Sequence, residues 1–226
     1  MKIQRIESFC NEFVGFVRVT ADDGAQGWGQ VSAYNADITA QVLHRQVAPW
    51  SLGQSALDID ALMDRISERE HKFPCSYLYR AMCGLDTALW DLRGKRAGLP
   101  LHVLAGGAKS RVPMYSTEGG WLHIEPAALV DDALAMREAG FLGSKIKIGK
   151  PTVAGDEARL RAVRAALGPD YEIMTDANQS MTAPEAARRL PLLESLNIGW
   201  FEEPLPADDI AGHARLARQS RVPIAV

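Results

Sequence analysis

Between two amphipathic helical patterns lies Gly143-Ser144-Lys145-Ile146-Lys147-Ile148-Gly149, a short run in which basic and apolar side chains alternate. Successive side chains of a strand point to opposite faces, so Lys145 and Lys147 share one face while Ile146 and Ile148 share the other. A solvated edge strand would show the same alternation. The helical patterns on either side point instead to a parallel strand covered on both faces, with its lysine face turned into the middle of a sheet or barrel. Adjacent ammonium groups in such a place repel each other and lose hydration, and both effects lower a lysine pKa toward neutrality. The pair reads as chemistry provided that counter-charges lie nearby.

The counter-charges follow from the pattern beyond residue 111, where strand and helix alternate. Strands are expected near Val112–Ser116, Ser144–Ile148, Glu172–Asp176 and Ile198–Glu202, with another starting at Pro223–Val226. Helices are expected near Pro126–Ala139, Glu157–Leu167, Pro184–Leu193 and Asp208–Gln219, with stops at Gly140 and Gly168-Pro169. Units of roughly 25 to 30 residues in this order build a parallel sheet, either doubly wound or closed as a barrel. No Gly-x-Gly-x-x-Gly opens any of these helices, so a dinucleotide fold has no support. Asp176 and Glu202 end the third and fourth strands, where barrel enzymes keep their catalytic groups. By alternation Asp176 shares a face with Met174 and Asn178, and Glu202 with Trp200. Successive strands thus bring Lys145 and Lys147, then Asp176, then Glu202 to one rim. Two carboxylates with room for waters and substrate oxygens suit a hard divalent cation, most naturally Mg²⁺. Glu203 has the opposite parity and is expected to serve the structure, as an ion pair behind the site.

The first 110 residues read differently. Strands near Lys2–Ser8, Phe13–Thr20 and Gly27–Val31, with a turn at Asp22-Asp23-Gly24, form an antiparallel meander. Helices follow near Ile38–Val47 and Leu57–Arg69. A stronger one runs from Ser76, as N-cap, to Gly98, with Leu78, Met82, Leu85, Leu89 and Leu92 on one face. Trp90 and Asp91 on that helix are expected to be a core aromatic and a satisfied polar partner. The reading is therefore an α/β chain: an α+β module over 1–110, and over 111–226 a partial barrel with strands one to four and the start of a fifth.

With 226 residues, 47% of them hydrophobic, and a net charge of −3 spread over interspersed charges, the chain offers no footprint for nucleic acid or a membrane surface. Cys10, Cys75 and Cys83 are odd in number and contain no Cys-x-x-Cys, which argues against a disulfide framework or a zinc site and leaves them as reduced core residues. The start of the chain lacks the apolar core of a signal peptide, so the cytoplasm is the expected compartment. A small-molecule substrate is the expected partner, and a homo-oligomer the expected assembly.

The pieces Ala88-Leu89-Trp90-Asp91 through Gly94-Lys95 with Gly106-Gly107, Lys145-Ile146-Lys147, Asp176-Ala177-Asn178-Gln179 and Trp200-Phe201-Glu202-Glu203-Pro204 occur in this order along nearly the whole chain. Together they resemble the enolase superfamily, and within it the mandelate racemase and muconate lactonizing group. The resemblance implies an α+β capping domain followed by a modified (β/α)₇β barrel, and Mg²⁺-dependent removal of the proton α to a carboxylate to give an enolate. Carried over residue by residue, it implies metal ligation by Asp176 and Glu202, Lys147 as base, and Lys145 as the group that tunes it and contacts the substrate carboxylate. Asn178 is a further candidate for substrate binding. The stretch Ala21–Gln30 would close over the substrate.

The chain departs from that family at Val226. Asp176 and Glu202 stand 26 positions apart, and a further step of that length from Glu202 passes the last residue. A third metal carboxylate, the acid/base of the opposite face and the later strands are thus not among these residues. A half barrel would expose sheet edges, so the expectation is the first part of a longer protein. The leading reading is a racemase, epimerase or dehydratase of a small carboxylic acid. Two alternatives stand beside it: a Schiff-base lyase using one lysine of the pair, testable by borohydride trapping, and a truncated, non-catalytic barrel acting as an interaction module.

Overall fold

In the computed structural model, which describes all 226 residues, the chain divides into two compact units, Met1–Ser110 and Arg111–Val226. In the first, strands β1 (Ile3–Cys10), β2 (Gly15–Ala21) and β3 (Gln26–Val31) form an antiparallel sheet in that order. Helices α1 (Ala36–Val42), α2 (Ala48–Ser51), α3 (Ile59–Glu70), α4 (Ser76–Ala97) and α5 (Leu101–Leu104) follow, with a π-helical segment at Leu43–Val47 joining α1 to α2. The sheet lies directly on α4. Gly27 and Gly29 of β3 face the helix so closely that a Cβ on Gly27 would stand 2.0 Å from the carbonyl oxygen of Ala88. Val17, Val19 and Val31 from the sheet share a core with Leu78, Leu85, Leu89 and Leu92 from α4. Gly98 takes the left-handed conformation that ends α4, with φ of 64°.

Several expectations for this unit need correction. Ser76 is the first residue of α4, and the extended Cys75 precedes it as cap without a side-chain bond. All three cysteines are exposed rather than buried: Cys10 ends β1, Cys75 lies at the helix start, and Cys83 is on the outer side of α4. As expected, a tight turn around Gly24 links two strands within Ala21–Gln30, with β3 paired to β2 from Gln26 onward. Trp90 and Asp91 behave as expected: Trp90 packs on the core, and Asp91 accepts the Trp28 backbone N–H at 2.8 Å and the Lys95 ammonium at 2.5 Å.

The second unit is a parallel sheet in the order β4 (Tyr115–Ser116), β5 (Gly143–Lys147), β6 (Glu172–Asp176), β7 (Phe201–Glu202), β8 (Ile224–Ala225). Between the strands run α6 (Pro126–Glu138), α7 (Val153–Leu167), α8 (Ala183–Ser195) and α9 (Ile210–Gln219). Ile146, Ile173 and Phe201 of the sheet, with Ile148 just past β5, are buried with Leu129, Leu160, Val163, Leu193 and Leu216 of the helices. The side chains that alternate with them turn to the other face. Strands β4 and β7 are shorter than their sequence patterns; in β4, Pro113 lacks the N–H that a ladder needs. Helix α7 begins earlier than its apolar pattern, at a cap in which the Thr152 hydroxyl accepts the Gly155 N–H at 3.2 Å. Thr182 and Glu185 form a reciprocal capping box at the start of α8. No helix of the chain is long and apolar enough to cross a membrane.

Candidate active site

The register of the second sheet puts the singled-out residues side by side. Lys147 on β5 is paired with Asp176 on β6, and Asp176 with Glu202 on β7, while Lys145 lies one step back opposite Met174. Their side chains meet on the face away from the apolar core. The Lys147 ammonium donates to Asp176 Oδ2 at 2.5 Å, and the Lys145 ammonium bridges Asp176 Oδ2 at 3.2 Å and Glu202 Oε1 at 2.7 Å. The backbone N–H of Asn178 donates to Asp176 Oδ1 at 2.8 Å, and Trp200 Nε1 donates to Glu202 Oε2 at 2.9 Å. Asp176 is the most enclosed of the four, with 3% of its side chain exposed against 25% for Glu202.

These contacts decide the electrostatics. Burial pushes the Asp176 carboxyl up, but hydrogen bonds from Lys147, the Asn178 N–H and Lys145 outweigh it and hold the group below the usual carboxylate range. For Lys145, burial favours the neutral amine, yet Glu202 and Asp176 together raise its pKa above the ordinary lysine value. The depression expected from like-charge repulsion is therefore overturned at Lys145, because two carboxylates, Glu202 and Asp176, both accept from its ammonium.

The donor set fits a hard cation. Two carboxylates from adjacent registered strands already draw one positive charge, the Lys145 ammonium, between them, and every donor atom they offer is oxygen. Asp176 and Glu202 could therefore hold a divalent cation such as Mg²⁺. No group of three or more His, Cys, Asp or Glu side chains gathers anywhere in this chain.

Two candidates stand differently from the strand alternation. Asn178 lies past the end of β6 with φ of 46°, so parity does not fix its direction; it is exposed, and its backbone rather than its side chain touches Asp176. Glu203, with φ of 42°, makes no ion pair; it accepts from the Gln179 side-chain amide at 3.3 Å.

Other residues at the site carry no strong signal in the sequence. The Trp121 ring lies over the Lys147 ammonium, 5.7 Å from its centroid, and Tyr115 packs edge-on against Trp200 at 5.2 Å. Asp156 on α7, fully buried, accepts the backbone N–H groups of Gly149 and Lys150, each at 3.0 Å, and the Arg189 Nε–H at 2.7 Å. Arg189 also donates to the Lys150 carbonyl at 2.7 Å, so the loop that leaves β5 is clamped from both polar sides of its backbone.

Two family models match the chain: the mandelate racemase / muconate lactonizing enzyme N-terminal domain over residues 6–106, and the enolase C-terminal domain-like family over residues 128–226. Among curated relatives, the L-talarate/galactarate dehydratase of Salmonella typhimurium is 37% identical over 92% of this chain and 52% of its own length. The arabinonate dehydratase of Saccharolobus solfataricus is 35% identical over 92% of this chain and 56% of its own. The crystal structure of L-talarate dehydratase from Polaromonas sp. JS666, complexed with Mg and L-glucarate, superposes with a TM-score of 0.88 at 36% identity, covering 99% of this chain and 65% of that one. The chain thus spans about half the length of the curated relatives it matches. It belongs to the mandelate racemase and muconate lactonizing enzyme group of the enolase superfamily.

Proposed function

We propose that this chain supplies the base and two of the metal carboxylates for Mg²⁺-dependent removal of the proton α to the carboxylate of a polyhydroxy acid. The outcome is dehydration, with racemisation or epimerisation as the other use of the same step. The observation that carries this reading is the registered row Lys147, Asp176, Glu202 with Lys145 bridging the carboxylates. The dehydratase names of the relatives support the sugar-acid class, with galactarate and arabinonate as the acids to test first.

An α-proton next to a carboxylate is too weakly acidic for a base alone, and bound Mg²⁺ would supply positive charge where the carboxylate oxygens gain electrons. Lys147 is the group that takes the proton from the α-carbon, and its place at the strand end fixes the face from which it reaches the substrate. Lys145 contributes a fixed positive charge toward the substrate carboxylate and has no need to lose its own proton. Trp200 holds Oε2 of Glu202, so Oε1, which here accepts from Lys145, is the oxygen that would turn to the cation. The same reading carries a cytoplasmic homo-oligomer without a nucleic-acid partner.

The test is α-proton exchange in D₂O by the intact protein containing this chain, with Mg²⁺ and either acid. Lys147→Ala should slow exchange by about 10² to 10⁴-fold, the usual weight of a positioned base, while leaving substrate binding close to wild type. Exchange at the wild-type rate would remove Lys147 from the role, and a borohydride-trapped adduct on either lysine would replace the mechanism with imine chemistry.

A further inference from the structure

The loop between β4 and α6 is built to hold an exposed aromatic ring still. Trp121 has 53% of its surface open, yet the backbone around it is tied at three points. The Gly120 carbonyl accepts the Lys147 backbone N–H at 2.7 Å. The buried guanidinium of Arg159, on α7, donates one nitrogen to the Trp121 carbonyl at 2.8 Å and the other to the Ile124 carbonyl. Gly120 itself admits no side chain, since a Cβ there would stand 2.2 Å from the Lys145 carbonyl oxygen. Arg159 is only 2% exposed, and its Nε has no hydrogen-bond partner. Burying so large a cation, with one donor unsatisfied, is costly unless the position of the loop matters. An apolar ring fixed in the open beside the base, and not folded into the core, is what a ligand wall requires.

We propose that Trp121 is a substrate-facing residue that packs its ring against the carbon backbone of the polyhydroxy acid next to Lys147, and that Arg159 is its positioning residue. This rests on the function proposed above. The C–H bonds of such an acid form its apolar side, and an aromatic face beside the base orients that side while the hydroxyls remain free for polar partners. Lys147 keeps its own anchor, Asp176, so the wall and the base are separable by mutation.

The experiment uses the intact protein with Mg²⁺ and galactarate or arabinonate, measuring KM and kcat for α-proton exchange and binding of the acid by titration calorimetry. Trp121→Ala should raise KM and Kd about ten-fold, a larger effect than that on kcat, and Trp121→Phe should restore most of the affinity. Arg159→Lys, which keeps the charge but loses the fork, should raise KM in the same direction and add little to Trp121→Ala in the double variant, as expected when one acts through the other. An unchanged KM and Kd in Trp121→Ala overturns the proposal while leaving the base reading intact, because wild-type exchange and its loss in Lys147→Ala are read in the same assay. Failure of the wild-type protein to bind or exchange either acid overturns both. If Arg159→Lys does not fold, Trp121→Ala and Trp121→Phe still decide the matter.

Discussion

The two units treat charge in opposite ways. In the first, ion pairs lie in the open: Arg18 with Glu7 across β1 and β2, Lys95 with Asp91, and Arg96 with Asp23 have a quarter to more than half of each side chain exposed. In the second, apart from the exposed Arg161–Glu157 pair on α7, the pairs sink into the sheet and its helices, from Asp156 with Arg189 to the cluster around Asp176. Solvated pairs contribute little, because water competes for both partners. Buried pairs must recover a large desolvation cost, so they persist where geometry is worth that cost. The buried pairs of the second unit are of two kinds. Asp156 and Arg189 satisfy each other and a loop backbone completely, which is a structural clamp. The lysine and carboxylate cluster keeps part of Glu202 open, which leaves it able to exchange a lysine for another cation.

The largest effect tests that second kind. Asp176→Asn should lower Mg²⁺ affinity and cut turnover in the intact protein by more than about 10²-fold, since an amide oxygen is a poor substitute for a charged ligand. Calorimetric Mg²⁺ titration and α-proton exchange measure the two parts. Retained Mg²⁺ affinity would mean that this cluster, like the clamp beside it, exists for the fold.

Both kinds were only partly legible in the sequence. Alternation within one short strand puts Lys145 and Lys147 on a common face, and strand ends recurring at one spacing pick out Asp176 and Glu202, because those relations depend on local geometry alone. Asn178 lies beyond that reach: two residues past Asp176 the backbone turns to positive φ, and parity stops meaning anything. Trp121, Arg159, Asp156 and Arg189 act across 6 to 39 positions of sequence through loops whose course no periodicity describes. The exposed cysteines show the same limit. A small apolar residue fits a core, but its place on the outer side of α4 depends on which face the sheet covers.

A smaller effect tests the clamp. Asp156→Ala removes the acceptor of two backbone N–H groups and leaves the Arg189 charge buried, at 5% side-chain exposure, without its partner. Breaking such a pair costs about 3–5 kcal/mol, to be read from urea unfolding of the second unit's signal. Pairing Asp156→Ala with Arg189→Met should recover part of that loss, because no stranded charge remains, though the Gly149 and Lys150 N–H groups still lack their acceptor. If the double variant is no better than the single, the cost comes from the loop backbone rather than the charge.

The smallest effect is expected on the open face of the first sheet, where Arg18 makes a two-pronged contact with Glu7 at 2.9 Å and lies over the rings of Phe9 and Trp28. The hydrogen bonds from Arg18 hold the Glu7 carboxyl below its usual range. A carboxyl lowered in the folded state contributes stability above its unfolded pKa, about 4.3 for glutamate, and that contribution fades as pH falls through the folded value. Glu7→Gln should therefore lower the melting temperature slightly near pH 7, and the gap to wild type should close in acid. The neighbouring rings of Phe9 and Trp28 still pack against the Arg18 guanidinium, which keeps the change small. A loss at pH 7 as large as that of Asp156→Ala, or a gap that widens in acid, would erase the distinction between the two units, since an exposed pair would then be holding its sheet as firmly as a buried one holds its loop.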